Sequence, residues 1–459
     1  MNEAVELAGT IDSESAITPE FLQTVEAALE AGSSDELRSL VADLHAADFA
    51  DLMELLRADQ RSKLIAELGS DLNFEALSEL DEAVRDQVVE ELPNEQIAEA
   101  VRELDSDDAV YLLEDLDDAE QSDILSKLPA SERSQLQRSL DYPDDSAGRL
   151  MQTEFIAVPP FWSVGQTIDY MRDTEDLPNA FGQLFVVDPT YHLIGAVRLD
   201  RILRTKRPVL VEGIMEEELR AIPATLDQEE VARRFERYDL YEAPVVDEDE
   251  RLVGIVTVDD VVEVIQEEAE EDIKRLGGVG DESISDTVLR ISQRRFAWLL
   301  VNLATAILAS IVISLFDATI AQMVALAVLM PIVASMGGNA GTQTMTVAVR
   351  ALATKELGPV NARRIVTREA IVGIVNGVVF AIILAGVAVL WFGSTKLGLV
   401  IAAAMLVNMI VAGLFGVLIP IALDRLGIDP AIASSVFLTT ITDVVGFFAF
   451  LGLAAIWLF

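Results

Sequence analysis

The sequence predicts a multidomain membrane protein: an α-solenoid, an α/β pair of repeated units, and an all-α bundle of five transmembrane helices. Three observations predict it. A sharp charge boundary lies near residue 290, five apolar runs follow it, and two kinds of internal repeat precede it. The chain has 459 residues, 77 acidic and 33 basic, for a formal net charge of −44. Residues 291–459 hold nine basic and six acidic side chains, so the whole acidic excess lies in residues 1–290. Such a chain offers a phosphate backbone no basic face, which argues against nucleic acid as a partner. There is no cysteine, which excludes disulfides and thiolate chemistry, and only His45 and His192 are available to His-based sites.

The opening MNEAVELAGT is acidic and has no apolar core. No cleaved signal peptide is predicted, and the acidic half is expected in the cytoplasm. From about residue 20 to 140 the apolar period is helical with short breaks. LVADLHAADFADLMELL (40–56) recurs as AVRELDSDDAVYLLEDL (100–116), matching Leu44 to Leu104, Asp48 to Asp108 and Leu52 to Leu112. A weaker copy around 74–92 suggests a helical-hairpin unit of ~30 residues, the pattern of a short solenoid; a generic helical bundle is the alternative. The second repeat has strand character. FVVDPTYHLIGAVRLDRIL (185–203) matches PVVDEDERLVGIVTVDDVV (244–262), and each unit reads strand, helix, strand, turn, strand, helix. VDDVVEVIQEEAEEDIKRLGG (258–278) then predicts one charged helix, uninterrupted until Gly277 and Gly278. Blocks of like charge are usually solvated faces. Beside anionic lipid, acid is unfavourable unless cations accompany it, which points to cation binding.

Phe296–Phe316 is uncharged and about 31 Å long as a helix, enough to cross a bilayer core. Further runs span about 318–349, 371–392, 397–423 and 431–459. The second and fifth exceed the required length, so tilt or a broken helix is expected. Arg294, Arg295, Arg350, Lys355, Arg363, Arg364, Arg368 and Arg425 place the N-terminus and even-numbered loops in the cytoplasm, and the C-terminus outside. PIVASMGGNAGTQTMTVAVRAL (331–352) predicts a broken helix. Pro331 lacks a donor, Gly337, Gly338 and Gly341 loosen the turn, and Asn339 and Gln343 add amide oxygens suited to a hard, hydrated cation. Close packing through small residues is the alternative. Asp443 is the one ionisable side chain deep in the fifth span, about 18 Å from Ala431 along a helix. A carboxylate there costs ~3 kcal/mol on insertion, so function is its default reading. Thr439, Thr440, Thr442 and Gly446 extend a polar stripe, and Asn302, Asn376 and Asn408 are expected in interhelical hydrogen bonds.

The two strand–helix units, through their VVD…L[IV]G[AI]V core, resemble a tandem pair of CBS domains, regulatory modules that commonly bind adenine nucleotides. The resemblance implies ATP as a cofactor, with Thr257 and Asp260 meeting phosphate and ribose; Arg198 replaces the Thr in the first unit. A pair used only for dimerisation or ion sensing is the alternative. Over about residues 20–459 the chain resembles the MgtE family of magnesium channels. The motifs are Tyr142-Pro143-Asp144-Asp145-Ser146-Ala147-Gly148, Pro331…Gly337-Gly338-Asn339-Ala340-Gly341-Thr342-Gln343, and Asp429-Pro430…Thr442-Asp443. The resemblance implies a non-enzymatic, multi-pass homodimer in the lipid bilayer of the cell membrane, with Mg2+ as substrate and effector. It implies a pore lined by Gly337, Gly338, Asn339, Gln343 and Thr442, in which Asp443 binds Mg2+, and Asp429 as a further metal residue. Intracellular Mg2+ is then sensed by Asp227, Glu229, Asp239, Asp260, Glu263, Glu268, Glu271 and Asp272, with Asp107 and Asp108 as partners from the N domain. Glu263 stands where the family has Asp.

The expected divisions are a tail (1–19), an N domain (20–141), the CBS pair (142–262), a connecting plug helix (263–290) and the pore domain (291–459). A coupled Mg2+/Co2+ carrier is one alternative. A membrane-anchored CBS regulatory protein is another, but an anchor needs no intramembrane Asp. Only six of the 33 basic residues are Lys, a bias resembling that of proteins from a salt-in halophilic archaeon. Much of the surface acid is then expected to serve solubility.

Overall fold

The computed structural model describes residues 17–114, 116–174, 177–178, 180–279 and 288–458. Most of the expected tail, and residues 280–287 of the expected plug, lie outside them. The chain divides into two compact units whose boundary falls between Glu268 and Ala269.

In the first unit, residues 19–140 form helices of eight to thirteen residues around a single apolar core. Helices this short are marginal alone and stand only by burying one face. The sixty-residue repeat is visible as two matching pairs of consecutive helices. Ala46–Leu55 and Ala58–Leu68 correspond to Ser106–Glu114 and Asp118–Lys127. The matched Leu52 and Leu112 are both buried. The first helix, Pro19–Ala31, starts on a Thr18 hydroxyl that accepts from the Phe21 amide, with Pro at its first position.

Residues 157–257 form two three-stranded mixed sheets. In the first, β1 (Ala157–Val158) is parallel to β2 (Gln183–Val187), which is antiparallel to β3 (Leu193–Arg198). β4 (Ile222–Pro223), β5 (Glu242–Val246) and β6 (Leu252–Thr257) repeat that order. The repeat extends to register: Val186 faces Gly195 and Val245 faces Gly254, each followed by a slip of one residue. The two units interlock. Gln152, ahead of the first unit, exchanges main-chain bonds of 2.7 and 2.8 Å with Ile255 of β6. Glu216, between the units, does the same with Ala196 of β3 at 2.8 and 3.0 Å. A Cβ on Gly254 would lie 2.6 Å from Met151 Sδ and 2.7 Å from the Gln152 carbonyl; one on Gly195 would lie 2.9 Å from Met215 Sδ. Only glycine admits the crossing segment. The charged helix follows β6 directly and runs unbroken from Val258 to Leu276, as its uninterrupted sequence predicts.

In the second unit, five helices are long and apolar enough to cross a membrane. They are Val288–Ser314, Ala325–Ala353, Ala362–Phe392, Thr395–Arg425 and a fifth within Pro430–Trp457. The excess length of the second run is taken up by a separate short helix, Asp317–Gln322. The break expected within 331–352 does not occur: the second span is continuous from Ala325 to Ala353. Pro331 lies early in that helix and frees a single upstream carbonyl, while the glycines keep their amide donors and two of them, Gly337 and Gly341, are pressed against neighbouring spans. The fourth span is the spine of the bundle, with Ile401, Ala404 and Met405 fully buried.

Gly254→Val is expected to lower the melting temperature of the full chain, since overpacking typically costs about 1–3 kcal/mol. Gly213→Ala, where a Cβ meets only Val209 at 4.0 Å, leaves it unchanged. Thermal unfolding of the two variants against wild type checks the interlock.

Candidate metal centres

The first unit gathers carboxylates from two places far apart in the sequence. Asp105 and the first turn of Ser106–Glu114 supply Asp107 and Asp108; the turn from β6 into the charged helix supplies Asp259, Asp260 and Glu263. Ser106 fixes their approach: its hydroxyl donates to Glu154 Oε2 at 2.7 Å and accepts from the Thr153 amide at 2.7 Å. Asp260 accepts from the hydroxyl and amide of Thr257 at 2.5 and 3.3 Å. Asp107 is buried against Asp260 and Gln152, and its Oδ1 has no hydrogen-bond partner among the described residues.

This crowding shifts the carboxyls upward. Burial, then the charge of Asp260, raises Asp107 well above the ordinary aspartate range. Burial with Asp107, Asp105 and Glu79 raises Asp108 to about 7. Burial also raises Asp260 to about 6, opposed by its Thr257 bonds. Glu263 reaches about 7 through burial and the charges of Glu79, Asp108, Glu267 and Asp259. The site therefore has excess negative charge and an unpaired buried oxygen, features that a cation relieves. Among the described residues no three His, Asp or Glu side chains close into a metal cage.

The other expected sensor residues are placed elsewhere. Asp227 caps Gln228–Tyr238 by accepting from the Glu229 amide at 3.0 Å; Glu229 is exposed in the first turn, and Asp239 is the left-handed C-cap with φ 52°. Glu268 accepts from Gln228 Nε2 at 2.9 Å. Beyond the unit boundary, Glu271 pairs with Arg275, whose other nitrogen reaches Asp429 at 2.6 Å. Asp429 also caps the fifth span, accepting from Ala431 at 2.7 Å. Asp272, one residue along, lies part-buried on the same helix. Sequence reasoning missed Asp105, Glu75, Glu79, Glu154 and Asp259, because nothing in the local pattern shows that separate domains aim them at one place.

In the second unit Asp443 lies half-buried in the fifth span, about 20 Å from Pro430 along the helix axis. Among the described residues its carboxylate has no hydrogen-bond or ion-pair partner. Thr442 is buried and donates to the Leu438 and Thr439 carbonyls at 3.1 and 3.0 Å, so its hydroxyl proton is held by its own helix. Asn408 of the fourth span is fully buried and donates to the Val333 carbonyl of the second at 2.8 Å, the expected interhelical bond. It fills the space left by two glycines. A Cβ on Gly337 would collide with its amide, and one on Gly446 would come within 2.9 Å. Asn302 instead donates to Trp298 in its own helix, and Asn376 lines a cavity of about 130 Å³ with Gln343. Of the expected lining residues, Gly337 and Thr442 are thus buried in packing. Asn339 and Gln343 are exposed, and Gly338 has nothing within 4 Å of a built Cβ.

Residues 330–453 match the family profile of the MgtE divalent cation transporters. Residues 44–145 match the MgtE intracellular N domain, and 147–207 and 211–267 match CBS domains. The chain is 34% identical over 315 residues to the magnesium transporter MgtE of Bacillus subtilis, covering 68% of this chain and 70% of that protein. It is 34% identical over 319 residues to the magnesium transporter MgtE of Thermus thermophilus, with the same coverage. Among solved structures, the cytosolic domain of the Mg2+ channel MgtE in complex with ATP aligns at TM-score 0.49 and 30% identity, over 53% of this chain and 99% of that one.

The raised carboxyls set a pH dependence. Their folded-state values lie above the ordinary 3.8 and 4.5, so the protonated cluster is favoured by folding. That stability is present at low pH and is lost as pH rises from about 4 through 7. In chelator, the melting temperature of the full chain is expected to fall between pH 5.5 and 8, and the gain on adding Mg2+ to be larger at pH 8. Asp107→Asn with Asp260→Asn flattens both trends; an unchanged slope in that variant removes the cluster as their source.

Proposed function

The chain belongs to the MgtE family, and from that membership we propose that it is a Mg2+-selective channel of the cell membrane, closed by intracellular Mg2+ bound to its own acidic sites. It is a transporter and not an enzyme, and a multi-pass membrane protein with an intracellular N domain. In this reading residues 20–141 and the CBS pair at 142–262 form the sensor, the helix within 263–290 transmits its state, and 291–459 form the pore.

The observation that carries the gating proposal is the unbonded, buried Oδ1 of Asp107 among Asp105, Asp108, Asp260 and Glu263. Without a cation these carboxylates repel one another or must take up protons; with one they tolerate close approach. Mg2+ then favours the closed arrangement by its differential affinity for it. The charged helix begins inside this cluster at Val258. Near its other end, Leu276 packs with Met345, Val349 and Leu438 of the second and fifth spans. In the proposal this helix carries the state of the sensor to the pore. Asp227, Glu229, Asp239, Glu268, Glu271, Asp272 and Asp429 remain further metal residues in the proposal.

For permeation we propose that Asp443 holds hydrated Mg2+, and that a second copy of the chain completes the path with the C-terminus outside. Supporting this, Asn339 and Gln343 of the second span are exposed in a single chain, an uncomfortable exposure for amides in lipid. Gly337 and Thr442 shape the path through packing. ATP is proposed at Thr257 and Asp260 of the second CBS unit. Since Asp260 also faces Asp107, nucleotide binding and N-domain approach draw on the same carboxylate.

Asp443→Ala is expected to abolish Mg2+ flux into liposomes while the assembled state of the purified protein is unchanged; wild-type flux would sink the pore assignment. Neutralising Asp107, Asp260 and Glu263 together should shift the Mg2+ concentration that closes the channel upward by at least about tenfold, equivalent to ~1.4 kcal/mol of lost differential binding. Neutralising Glu95, Asp118 and Glu120, exposed acids of the N domain, should leave it in place. The comparison is made in molar KCl, where the Debye length is ~3 Å and only directly bound ions still act. Equal shifts in both sets would mean that bulk acidity, not the cluster, sets closure.

A further inference from the structure

The second and third spans leave a groove between them. Each packs on the fourth span. A Cβ on Gly416 would lie 3.0 Å from the Gly341 carbonyl of the second span, and one on Gly413 would lie 2.7 Å from the Glu369 carbonyl of the third. Where the second span ends at Ala353 and the third begins at Ala362, the groove widens into a cavity of about 300 Å³. Its wall is apolar, with Val417 buried at its base and Ile365 and the exposed Val347 towards its mouth; its rim carries Arg364, Arg368 and Glu356. Arg364 and Arg368 are four residues apart and share one helix face. Arg368 pairs with Glu369 at 3.0 Å, and that carboxylate side chain is only 13% exposed. The guanidinium of Arg364 is exposed and, among the described residues, has no hydrogen-bond or ion-pair partner. Arg350, Lys355 and Arg363 stand in the same helix ends and loop, which carries the basic residues that mark the cytoplasmic side.

We propose that this cavity binds the headgroup of an anionic glycerophospholipid of the cytoplasmic leaflet, with Arg364 and Arg368 on its phosphate and its glycerol end against Val347, Ile365 and Val417. The chemistry is specific at both ends. A guanidinium presents paired donors that match phosphate oxygens, and basic pockets between spans on the cytoplasmic side are suited to lipid headgroups. Glu369 already compensates Arg368, so Arg364 supplies the charge left to satisfy. A free phosphate ion meets the same arginines but leaves the apolar wall bare, whereas a lipid covers both. The lipid would lie against the second span, the helix that carries Gly337 to Gln343.

The test titrates the full chain in detergent with phosphatidylglycerol, phosphatidylcholine or inorganic phosphate and counts bound lipid by native mass spectrometry. Phosphatidylglycerol is expected to bind at concentrations where phosphatidylcholine does not, and millimolar phosphate should not displace it. Arg364→Ala with Arg368→Ala should weaken that binding at least about tenfold. Val347→Trp, which fills the apolar wall and keeps both arginines, should weaken it as well. Arg425→Ala, at the end of the fourth span, should behave as wild type. Undiminished binding in both cavity variants, equal binding of phosphatidylcholine, or displacement by phosphate would each overturn the proposal.

Discussion

Repulsion between carboxylates brought together out of water is the constraint on which the rest of this molecule depends. Two negative charges a few ångströms apart in a partly dry site must attract a counter-ion, take up a proton or separate. The cluster around Asp107 and Asp260 meets that constraint at the junction of the N domain and the charged helix. Asp107 comes from the helical N domain and Asp260 from the first turn of the charged helix, so their mutual repulsion acts between those two elements. Elsewhere on the same helix the balance is met within the chain: Gln228 serves Glu268, and Arg275 serves Glu271 and Asp429. The helix therefore has crowded carboxyls with raised proton affinity at its start, and Glu268 and Glu271 bonded within the chain further along.

The membrane bundle answers a different demand with small residues. A buried amide in lipid is expensive unless bonded, and Asn408, seated between Gly337 and Gly446, donates to Val333 while its Oδ1 has no hydrogen-bond partner among the described residues. That arrangement draws the second, fourth and fifth spans together close to Asp443. It explains why glycines that read as helix breakers sit in an unbroken helix. Their missing side chains are used sideways, for approach, and not along the axis for flexibility.

Much of the architecture was legible because its signals are periodic. The two repeats, the five apolar runs and the uninterrupted charged helix all appear as their spacing predicts. What stayed hidden was long-range. No local pattern tells that Asp105 and Glu79 face Asp259 and Glu263, since that encounter depends on the packing of whole domains. The break expected within 331–352 fails for a related reason: periodicity separates inside from outside, but cannot say whether a glycine such as Gly337 loosens its own helix or admits a neighbour such as Asn408. Glu369 was passed over because it stands just ahead of an apolar run, although its side chain is nearly buried.

The crossed pairing of the two α/β units bears on how the chain is made. Gln152 finds its partner in Ile255, about a hundred residues later, whereas Ala196 finds Glu216 only twenty residues on. During synthesis from the N-terminus, the first sheet closes early while the segment holding Met151 stays uncovered until β6 emerges. The second sheet completes both halves at once. Truncation anywhere before β6 thus leaves an unpaired strand edge and an exposed methionine at a site that aggregation exploits. The charged helix, which follows β6 without a linker, is translated only after that gap has the means to close.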